Sequence, residues 1–315
     1  MKLLVVGAGA VGGYFGGRLL QAGRDVTFLV RPRRAAELAQ SGLVIKSPAG
    51  DVTLRDPKTV TAEALRQTFD LVLLSCKAYD LEGAVVSLAP AVGPGTVILP
   101  LLNGLRHLDR LDATFGAAKV LGGQCVISAA IDQQGAVIQS MPSHSITFGE
   151  RPSGITDRAR TILSMMQEAV FDVRASEEIM LEMWEKWVFI ASLAGATTLM
   201  RAAIGDICTT PDGENFLLGL IGECRRIAEF EGYEPRPSVL ERIRAQLTSP
   251  GSPLTASMYR DMERNARIEA DHVIGDLLQR GQSHHTADED FPLLRLIYSN
   301  LKAYENRRDR RSCQS

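Results

Sequence analysis

The first half of the chain alternates short apolar runs, rich in Val and Leu, with longer stretches of helical periodicity. The apolar runs predict buried strands at residues 2–6, 25–30, 70–76 and 96–102. Runs that are apolar throughout and separated by helical segments are typical of a parallel sheet covered on both faces. Residues 11–21 are amphipathic and predict the first helix, and Gly23 stands where a glycine commonly ends one.

The pattern changes after about residue 120, where the strands become shorter and are separated by polar and turn-forming residues. These strands are predicted at residues 126–131, 136–139 and 145–148, with turns at 132–135 and 141–143. Their spacing indicates an antiparallel meander that closes the same sheet. A helix at residues 157–170 and a short strand at 172–174 complete the predicted first domain.

Beyond residue 175 the chain has almost no strand pattern and consists of helical segments separated by Pro and Gly clusters. The helices are predicted at residues 177–201, 213–231, 237–247, 255–280 and 291–306. The sequence therefore predicts an α/β fold, with an N-terminal Rossmann-type doubly wound sheet and an all-α C-terminal domain. We place the first domain at residues 1–174 and the second at residues 175–315, which suits a chain of this length.

Composition and charge narrow the class of protein. With 45% hydrophobic and 23% charged residues and a net charge of -2, the chain has a globular composition and no charge that favours nucleic acid as a partner. The longest apolar stretch, residues 187–200, is short and interrupted by polar residues, so we expect no membrane span and a cytoplasmic protein. The cysteines are scattered and the histidines, including His284 and His285, lack metal-ligand spacing, so no metal site is expected.

A glycine motif follows the first predicted strand. Its residues are Gly7, Ala8, Gly9, Ala10, Val11 and Gly12, which fit the pattern GxGxxG. Gly7 permits a tight turn, Gly9 lets a pyrophosphate approach the backbone, and Gly12 allows close packing of helix on strand. The N-terminus of the following helix adds free N–H groups and a favourable dipole. The motif predicts a dinucleotide site, although a tight turn without a ligand is the alternative.

An arginine follows the second predicted strand, where an NAD-binding protein usually carries a carboxylate for the ribose 2′-hydroxyl. Arg31 can instead neutralise and hydrogen-bond a 2′-phosphate, which favours NADPH as the cofactor. A solvated basic loop is the alternative interpretation of Arg31, and more so of Arg33 and Arg34.

Two further polar residues follow predicted strands. Lys77 comes after residues 70–76 and Asn103 after residues 96–102. Both are expected at the carboxyl ends of their strands, where open α/β sheets bind ligands. From position alone, either could equally be a helix cap or a surface residue.

Taken together, several segments resemble the ketopantoate reductase (2-dehydropantoate 2-reductase) family almost from end to end. They are GAGAVG at residues 7–12, Arg31, SCKAYD at 75–80, LLNGL at 101–105, WEKW at 184–187 and SMYRDMERNARIEAD at 257–271. The last two are the informative ones, because many dehydrogenases share GxGxxG. The resemblance implies NADPH-dependent reduction of a 2-oxo acid, with ketopantoate (2-dehydropantoate) reduced to pantoate in pantothenate biosynthesis as the leading reaction.

The resemblance also implies roles for individual residues. Lys186 matches the family's catalytic acid, and Glu269, near the middle of a predicted helix, matches a glutamate that contacts the substrate hydroxyl. Ser257 matches a substrate-contacting serine, while Lys77 and Asn103 match positions that bracket the nicotinamide and the substrate. From the sequence alone, Lys186 could simply pair with Glu182 one helical turn away.

One helix face departs from the family pattern. The family's helix usually carries asparagines four and eight residues after the lysine, facing the substrate, but this chain has Ile190 and Ala194 there. Losing two amides removes hydrogen bonds worth about 0.5–1.5 kcal/mol each. A more apolar 2-oxo acid is therefore the second hypothesis for the substrate.

A third hypothesis is a sensor that binds NADPH without turnover, which the presence of both Lys186 and Glu269 disfavours. The helical domain is expected to bind the substrate, and it has enough apolar surface to form a homodimer interface. The sequence does not itself show such an interface, and it assigns no role to the basic tail at residues 307–315.

Overall fold

The computed structural model describes residues 1–284 and 291–312, which divide into two units. The N-terminal unit comprises Met1–Leu102 and His107–Ile179, and the C-terminal unit comprises Asn103–Arg106 and Met180–Ser315. The division after Ile179 lies close to the domain boundary predicted between residues 174 and 175. That the two units are separate domains stays a prediction.

Strand formation in the N-terminal unit follows the apolar runs. The strands are β1 (Lys2–Val6), β2 (Asp25–Leu29), β3 (Leu43–Lys46), β4 (Val52–Leu54), β5 (Thr59–Val60), β6 (Leu71–Leu74), β7 (Val97–Pro100), β8 (Gly122–Ile131), β9 (Val137–Gly149) and β10 (Asp172–Ala175). The first sheet has the order β5-β2-β1-β6-β7, and all its strands are parallel. This is the strand order of a Rossmann-type sheet, so the predicted fold class is confirmed.

The predicted meander does not close this sheet. Strands β3, β4, β8, β9 and β10 form a second, mixed sheet of order β10-β9-β3-β4, with β8 paired to β9. The turn predicted at residues 141–143 is also wrong, because β9 runs through Pro142. The β8–β9 register shifts between Ile127 and Ala129, opposite this stretch. A bulge tolerates proline because no ladder hydrogen bond is required of it there.

The remaining segments of the described chain are helical. The helices are α1 (Ala10–Gln21), α2 (Pro32–Ser41), α3 (Leu81–Leu88), α4 (Arg106–Phe115), α5 (Asp157–Met166), α6 (Ile179–Met200), α7 (Ile204–Cys208), α8 (Gly213–Phe230), α9 (Pro237–Leu247), α10 (Ser257–Glu263), α11 (Asp276–Ser283) and α12 (Pro292–Ser312). A π-helical turn, Asp271–Gly275, leads directly into α11. The C-terminal unit is thus all helical in the residues described, as the sequence predicts.

Helix α1 lies against both sheets, and its glycines make this possible. A Cβ on Gly16 would come within 2.7 Å of Phe28, which belongs to the first sheet. One on Gly17 would come within 2.6 Å of Ile45, which belongs to the second. Because neither position has room for a side chain, the helix can approach both layers closely and join them in one core.

The helix predicted at residues 255–280 is interrupted. Helix α10 ends at Glu263, and Asn265 takes a left-handed backbone with φ of 53°. The N–H of Ala266 donates to the Asp261 carbonyl and that of Asn265 to the Met262 carbonyl, which is the Schellman arrangement. Residues 266–269 are therefore not helical, and Glu269 does not lie in the middle of a helix.

Among the described residues, no helix is both long enough and apolar enough to cross a membrane. His285 and the last residues of the basic tail, from residue 313, lie outside the described residues.

Candidate active site

The glycine motif forms the turn between β1 and α1. Gly7 has φ of 92°, and its N–H donates to the Leu29 carbonyl of β2. A Cβ on Gly12 would overlap the Gly7 carbonyl oxygen and Ser75 Oγ, so this position requires glycine for packing. A Cβ on Gly9, in contrast, would meet nothing within 4 Å. Gly9 therefore leaves open space beside the backbone at the start of α1.

This open turn fits a dinucleotide pyrophosphate. Gly9 is the N-cap residue of α1, no side chain caps the helix, and its first turn carries no acidic residue. The first N–H groups of a helix have no partner within the helix and attract anions, so the turn can hold phosphate oxygens. Ala8, Ala10 and Val11, also predicted to bind the cofactor, lie in the same turn and the first turn of α1.

The three arginines after β2 separate into distinct roles. Arg34 is mostly buried, and its guanidinium donates to the Ala8 carbonyl at 3.2 Å and to the Gly135 carbonyl at 2.9 Å. Arg33 is 93% exposed and pairs with Glu37. Arg31 is 79% exposed and forms an ion pair with Asp80 at 3.0 Å. Arg34 thus supports the glycine turn, while Arg31 is exposed and held only by its ion pair with Asp80 among the ion pairs described.

Lys77 and Asp80 lie beside the glycine turn. Both follow β6, which pairs with β1 in parallel, and Ser75 Oγ donates to the Val6 carbonyl at 3.2 Å. The Lys77 carbonyl accepts from the Asp80 N–H, forming a short 3₁₀ turn that ends at Asp80. Lys77 is half-buried, at the strand end where the sequence places it.

Asn103 follows β7 but groups with the C-terminal unit, together with Gly104. Gly104 has φ of 74°, and a Cβ there would lie 2.6 Å from the His272 carbonyl oxygen. The segment therefore packs against the backbone of the π-helical turn, and only glycine permits this approach. This contact holds the half-buried Asn103 beside the turn that follows Glu269.

Lys186 lies on α6 between two buried tryptophans, Trp184 and Trp187. The indole Nε1 of Trp187 donates to the Val273 carbonyl of the π-helical turn at 2.9 Å. The neighbouring Glu185 is also buried, and it accepts from the backbone N–H and guanidinium of Arg236 at the start of α9. These contacts fix the rotation of α6 around the half-buried Lys186.

Glu269 directly precedes the π-helical turn, and its carbonyl accepts from the Val273 N–H at 3.0 Å. The turn is held on its other side by Asp271, whose carboxylate accepts from Tyr298 and Lys302 of α12. Burial raises the pKa of Asp271, but these two hydrogen bonds outweigh it and the pKa lies below its ordinary value. The structure thus brings the neighbours of Asn103, Lys186 and Glu269 together on one π-helical turn.

The other predicted substrate contacts differ in exposure. Ser257 is exposed at the start of α10. Ile190 and Ala194 share a face of α6 with Lys186. Exposure decreases along this face: Lys186 and Ile190 are half-buried, and Ala194 is only 4% exposed. This face is apolar beyond the lysine, as the sequence predicts.

Sequence reasoning missed the roles of Asp80, Arg34, Gly104 and the Trp187 indole. The glycine of LLNGL could have indicated the role of Gly104. Asp80, Arg34 and Trp187 gave no such signal, because their partners are distant in sequence. Among the described residues, no group of three or more His, Cys, Asp or Glu side chains could hold a metal ion.

Two family models match the chain. The model described as Ketopantoate reductase PanE/ApbA matches residues 3–153, and its C-terminal counterpart matches residues 178–305. The Bacillus subtilis (strain 168) protein named Uncharacterized oxidoreductase YkpB is 39% identical over 305 residues, covering 97% of this chain and 99% of that protein. The 2-dehydropantoate 2-reductase of Nostoc sp. is 25% identical over 312 residues, covering 97% of this chain and 96% of the relative.

Solved structures share the fold. A 2-dehydropantoate 2-reductase from Geobacter metallireducens GS-15 superposes with a TM-score of 0.86 at 26% identity, covering 96% of this chain and 99% of the other. A D-mandelate dehydrogenase in complex with NADH and anilino(oxo)acetate gives a TM-score of 0.86 at 21% identity, covering 98% and 100%. Matches to both halves of the chain, together with the 39% identical relative, establish the family. The chain belongs to the ketopantoate reductase PanE/ApbA family, and it is a 2-oxo acid reductase of this type, an oxidoreductase acting on CH–OH groups.

Proposed function

We propose that this protein reduces a 2-oxo acid to a 2-hydroxy acid with NADPH as the reductant. The observation that carries the choice of NADPH is Arg31 at the end of β2, exposed and cationic, where a carboxylate would bind the 2′-hydroxyl of NADH. The open backbone at Gly9 and the uncapped start of α1 support pyrophosphate binding next to it. We further propose that Lys77 and Asn103 contact the nicotinamide end of the cofactor and the substrate.

When bound, NADPH would supply the hydride that the 2-oxo carbon of the substrate receives. Negative charge then develops on the carbonyl oxygen, and a positioned ammonium can stabilise it and protonate it. We assign this role to Lys186. Glu269 would orient the hydroxyl that forms or the ammonium itself, and Ser257 would contact the substrate. The Trp187–Val273 hydrogen bond supports these assignments, because it ties the Lys186 helix to the turn after Glu269.

Ketopantoate is the first substrate to test, with pantoate as its product in pantothenate biosynthesis. The second candidate is a more apolar 2-oxo acid, and Ile190 with Ala194 favours it, since neither can pair with substrate hydroxyls. The relative at 39% identity has no named substrate, whereas the Nostoc 2-dehydropantoate 2-reductase is 25% identical. The fold itself also occurs in a D-mandelate dehydrogenase, so it does not dictate ketopantoate.

The test is the rate of NADPH oxidation with ketopantoate and with a panel of branched, unbranched and aromatic 2-oxo acids. The matched variant is Ile190→Asn combined with Ala194→Asn. If ketopantoate is the substrate, wild-type kcat/KM is highest for it and the double variant gains little. If an apolar acid is the substrate, that acid is preferred, and the double variant shifts preference towards ketopantoate by about tenfold, as expected for two hydrogen bonds.

Tight NADPH binding without oxidation by any acid of the panel would instead support the sensor hypothesis. Failure of both NADPH and NADH to bind would contradict the proposed cofactor site.

A further inference from the structure

The ion pair between Arg31 and Asp80 crosses the end of β1. Arg31 follows β2 and Asp80 follows β6, and these strands flank β1 on either side in the parallel sheet. Adjacent strands lie about 4.8 Å apart, so the two side chains span roughly 10 Å of the sheet edge. The glycine turn leaves from β1 between them. The pair therefore lies across the edge at which the dinucleotide is proposed to bind.

The two members of the pair are unequally exposed. The Arg31 side chain is 79% exposed, whereas that of Asp80 is 30% exposed. Asp80 also precedes α3 without capping it through its side chain. The Asp80 carboxylate therefore pairs with Arg31 and does not cap α3. Arg33 and Arg34 pair with Glu37 instead, so Asp80 acts on the one arginine that is proposed to read the 2′-phosphate.

We infer that Asp80 is a specificity-determining residue that competes with the cofactor's 2′-phosphate for Arg31 and so limits the preference for NADPH over NADH. This inference rests on the proposed cofactor. A 2′-phosphate must draw the guanidinium away from the carboxylate or share it, and it then lies close to a second negative charge. NADH carries only a hydroxyl at this position and meets no such opposition.

The size of the effect follows from the exposure of the pair. Exposed ion pairs contribute little and are screened by salt, and a doubly charged phosphate several ångströms from a carboxylate in water adds repulsion of similar size. Removing the charge of Asp80 should therefore tighten NADPH binding by about threefold to tenfold at low ionic strength.

The experiment measures the dissociation constants of NADPH and NADH by titration calorimetry, without substrate. The variants are Asp80→Asn, Arg31→Ala and the double variant. Asp25→Asn is the matched control, because Asp25 begins β2 at the opposite edge of the sheet, and its exposed ion pair with Lys58 at 2.7 Å is lost with the same change of charge. A thermal melt of each variant checks that it is folded.

We expect Asp80→Asn to tighten NADPH binding, to change NADH binding less than about twofold, and to have no effect in the Arg31→Ala background. The gain should shrink with added salt. Equal tightening for NADH or in Asp25→Asn would overturn the inference by showing a general charge effect. Weaker NADPH binding in Asp80→Asn would overturn it by showing that the carboxylate orients Arg31 productively.

The outcomes also separate this inference from the proposed function. If wild-type protein binds NADPH but Asp80→Asn binds it equally well, only the role of Asp80 is overturned. If wild-type protein binds neither nucleotide, both fail.

Discussion

Helices α1 and α6 both carry residues of the proposed site, but they are held by opposite means. Helix α1 is positioned by missing side chains: Gly12, Gly16 and Gly17 allow it to lie directly on two sheets. Helix α6 is positioned by large ones, since Trp187 hydrogen-bonds the π-helical turn and Glu185 binds Arg236. The first arrangement exposes backbone N–H groups at the start of α1, and the second fixes the helix that carries Lys186.

This difference indicates which changes each region tolerates. At Gly12, Gly16 and Gly17 an added Cβ matters, because the α1 backbone lies directly against strand side chains and, at Gly12, against the Gly7 carbonyl. Around α6 a lost atom matters, because a hydrogen bond or a ring contact disappears with it. Substitutions that add atoms to α1 and remove them from α6 therefore test the comparison.

The largest effect is expected for Lys186→Ala, which removes the proposed acid. We expect kcat to fall about 10²–10⁴-fold while NADPH binding and the melting temperature are kept. Steady-state NADPH oxidation measures it. Glu182→Gln is the control, because an equal loss there would indicate that Lys186 acts only as a partner in a helical ion pair.

Gly12→Ala should be the most damaging addition to α1. Its Cβ would overlap the Gly7 carbonyl and Ser75 Oγ, so we expect a loss of about 3 kcal/mol or more in the free energy of unfolding, measured by denaturant titration. Gly9→Ala is the matched variant, since its Cβ meets nothing within 4 Å. It should keep its stability and lose nucleotide affinity. Similar stability losses in both variants would contradict the assignment of open space at Gly9.

Trp187→Phe keeps an aromatic ring beside Lys186 but removes the donor to the Val273 carbonyl. A buried acceptor that loses its donor costs about 1–3 kcal/mol, and we expect kcat to fall about tenfold with a smaller change in KM. The control for the general loss of an indole is Trp184→Phe, because the Trp184 ring stacks on Tyr233. Equal falls in the two variants would show that the hydrogen bond does not position the lysine.

The smallest effect concerns pH and His144 on β9. Burial holds the pKa of His144 below its ordinary value of 6.5, with Asp172 acting in the opposite direction. The Tyr14 hydroxyl lies 2.5 Å from His144 Nδ1. Since the unfolded chain takes up this proton at higher pH than the folded one, stability should decline as pH falls below about 6.5.

The melting temperature between pH 7 and pH 5 measures this decline, and it should be shallower in His144→Gln. An identical pH dependence in the variant would show that other groups control it.

Two helix ends of the Schellman type, at Gly23 and Asn265, show what the sequence could and could not indicate. Gly23 ends α1 with φ of 75°, and Arg24 N–H donates to the Leu19 carbonyl. Glycine at this position is a strong signal, and the end of α1 was predicted. Asn265 ends α10 in the same way, but asparagine is common elsewhere, so the break went unrecognised. The break is also held by a distant residue, because the Tyr304 hydroxyl of α12 donates to the Ala266 carbonyl at 2.7 Å.

The sequence by itself determined the parallel sheet, the glycine turn, Arg31 after β2 and the helical second half. These features depend on local periodicity, on backbone conformations that favour glycine and on motif spacing, all of which lie within short stretches of chain. It also indicated the family through WEKW and SMYRDMERNARIEAD.

Only the tertiary structure decided the second sheet, the partner of Arg31, and the π-helical turn that receives Gly104 and Trp187. The ion pair and the two contacts to the π-helical turn join residues between about 49 and 170 positions apart, and a one-dimensional pattern does not specify which distant polar groups will meet. The sequence shows which residues can donate or accept hydrogen bonds, but tertiary packing decides which donors and acceptors meet.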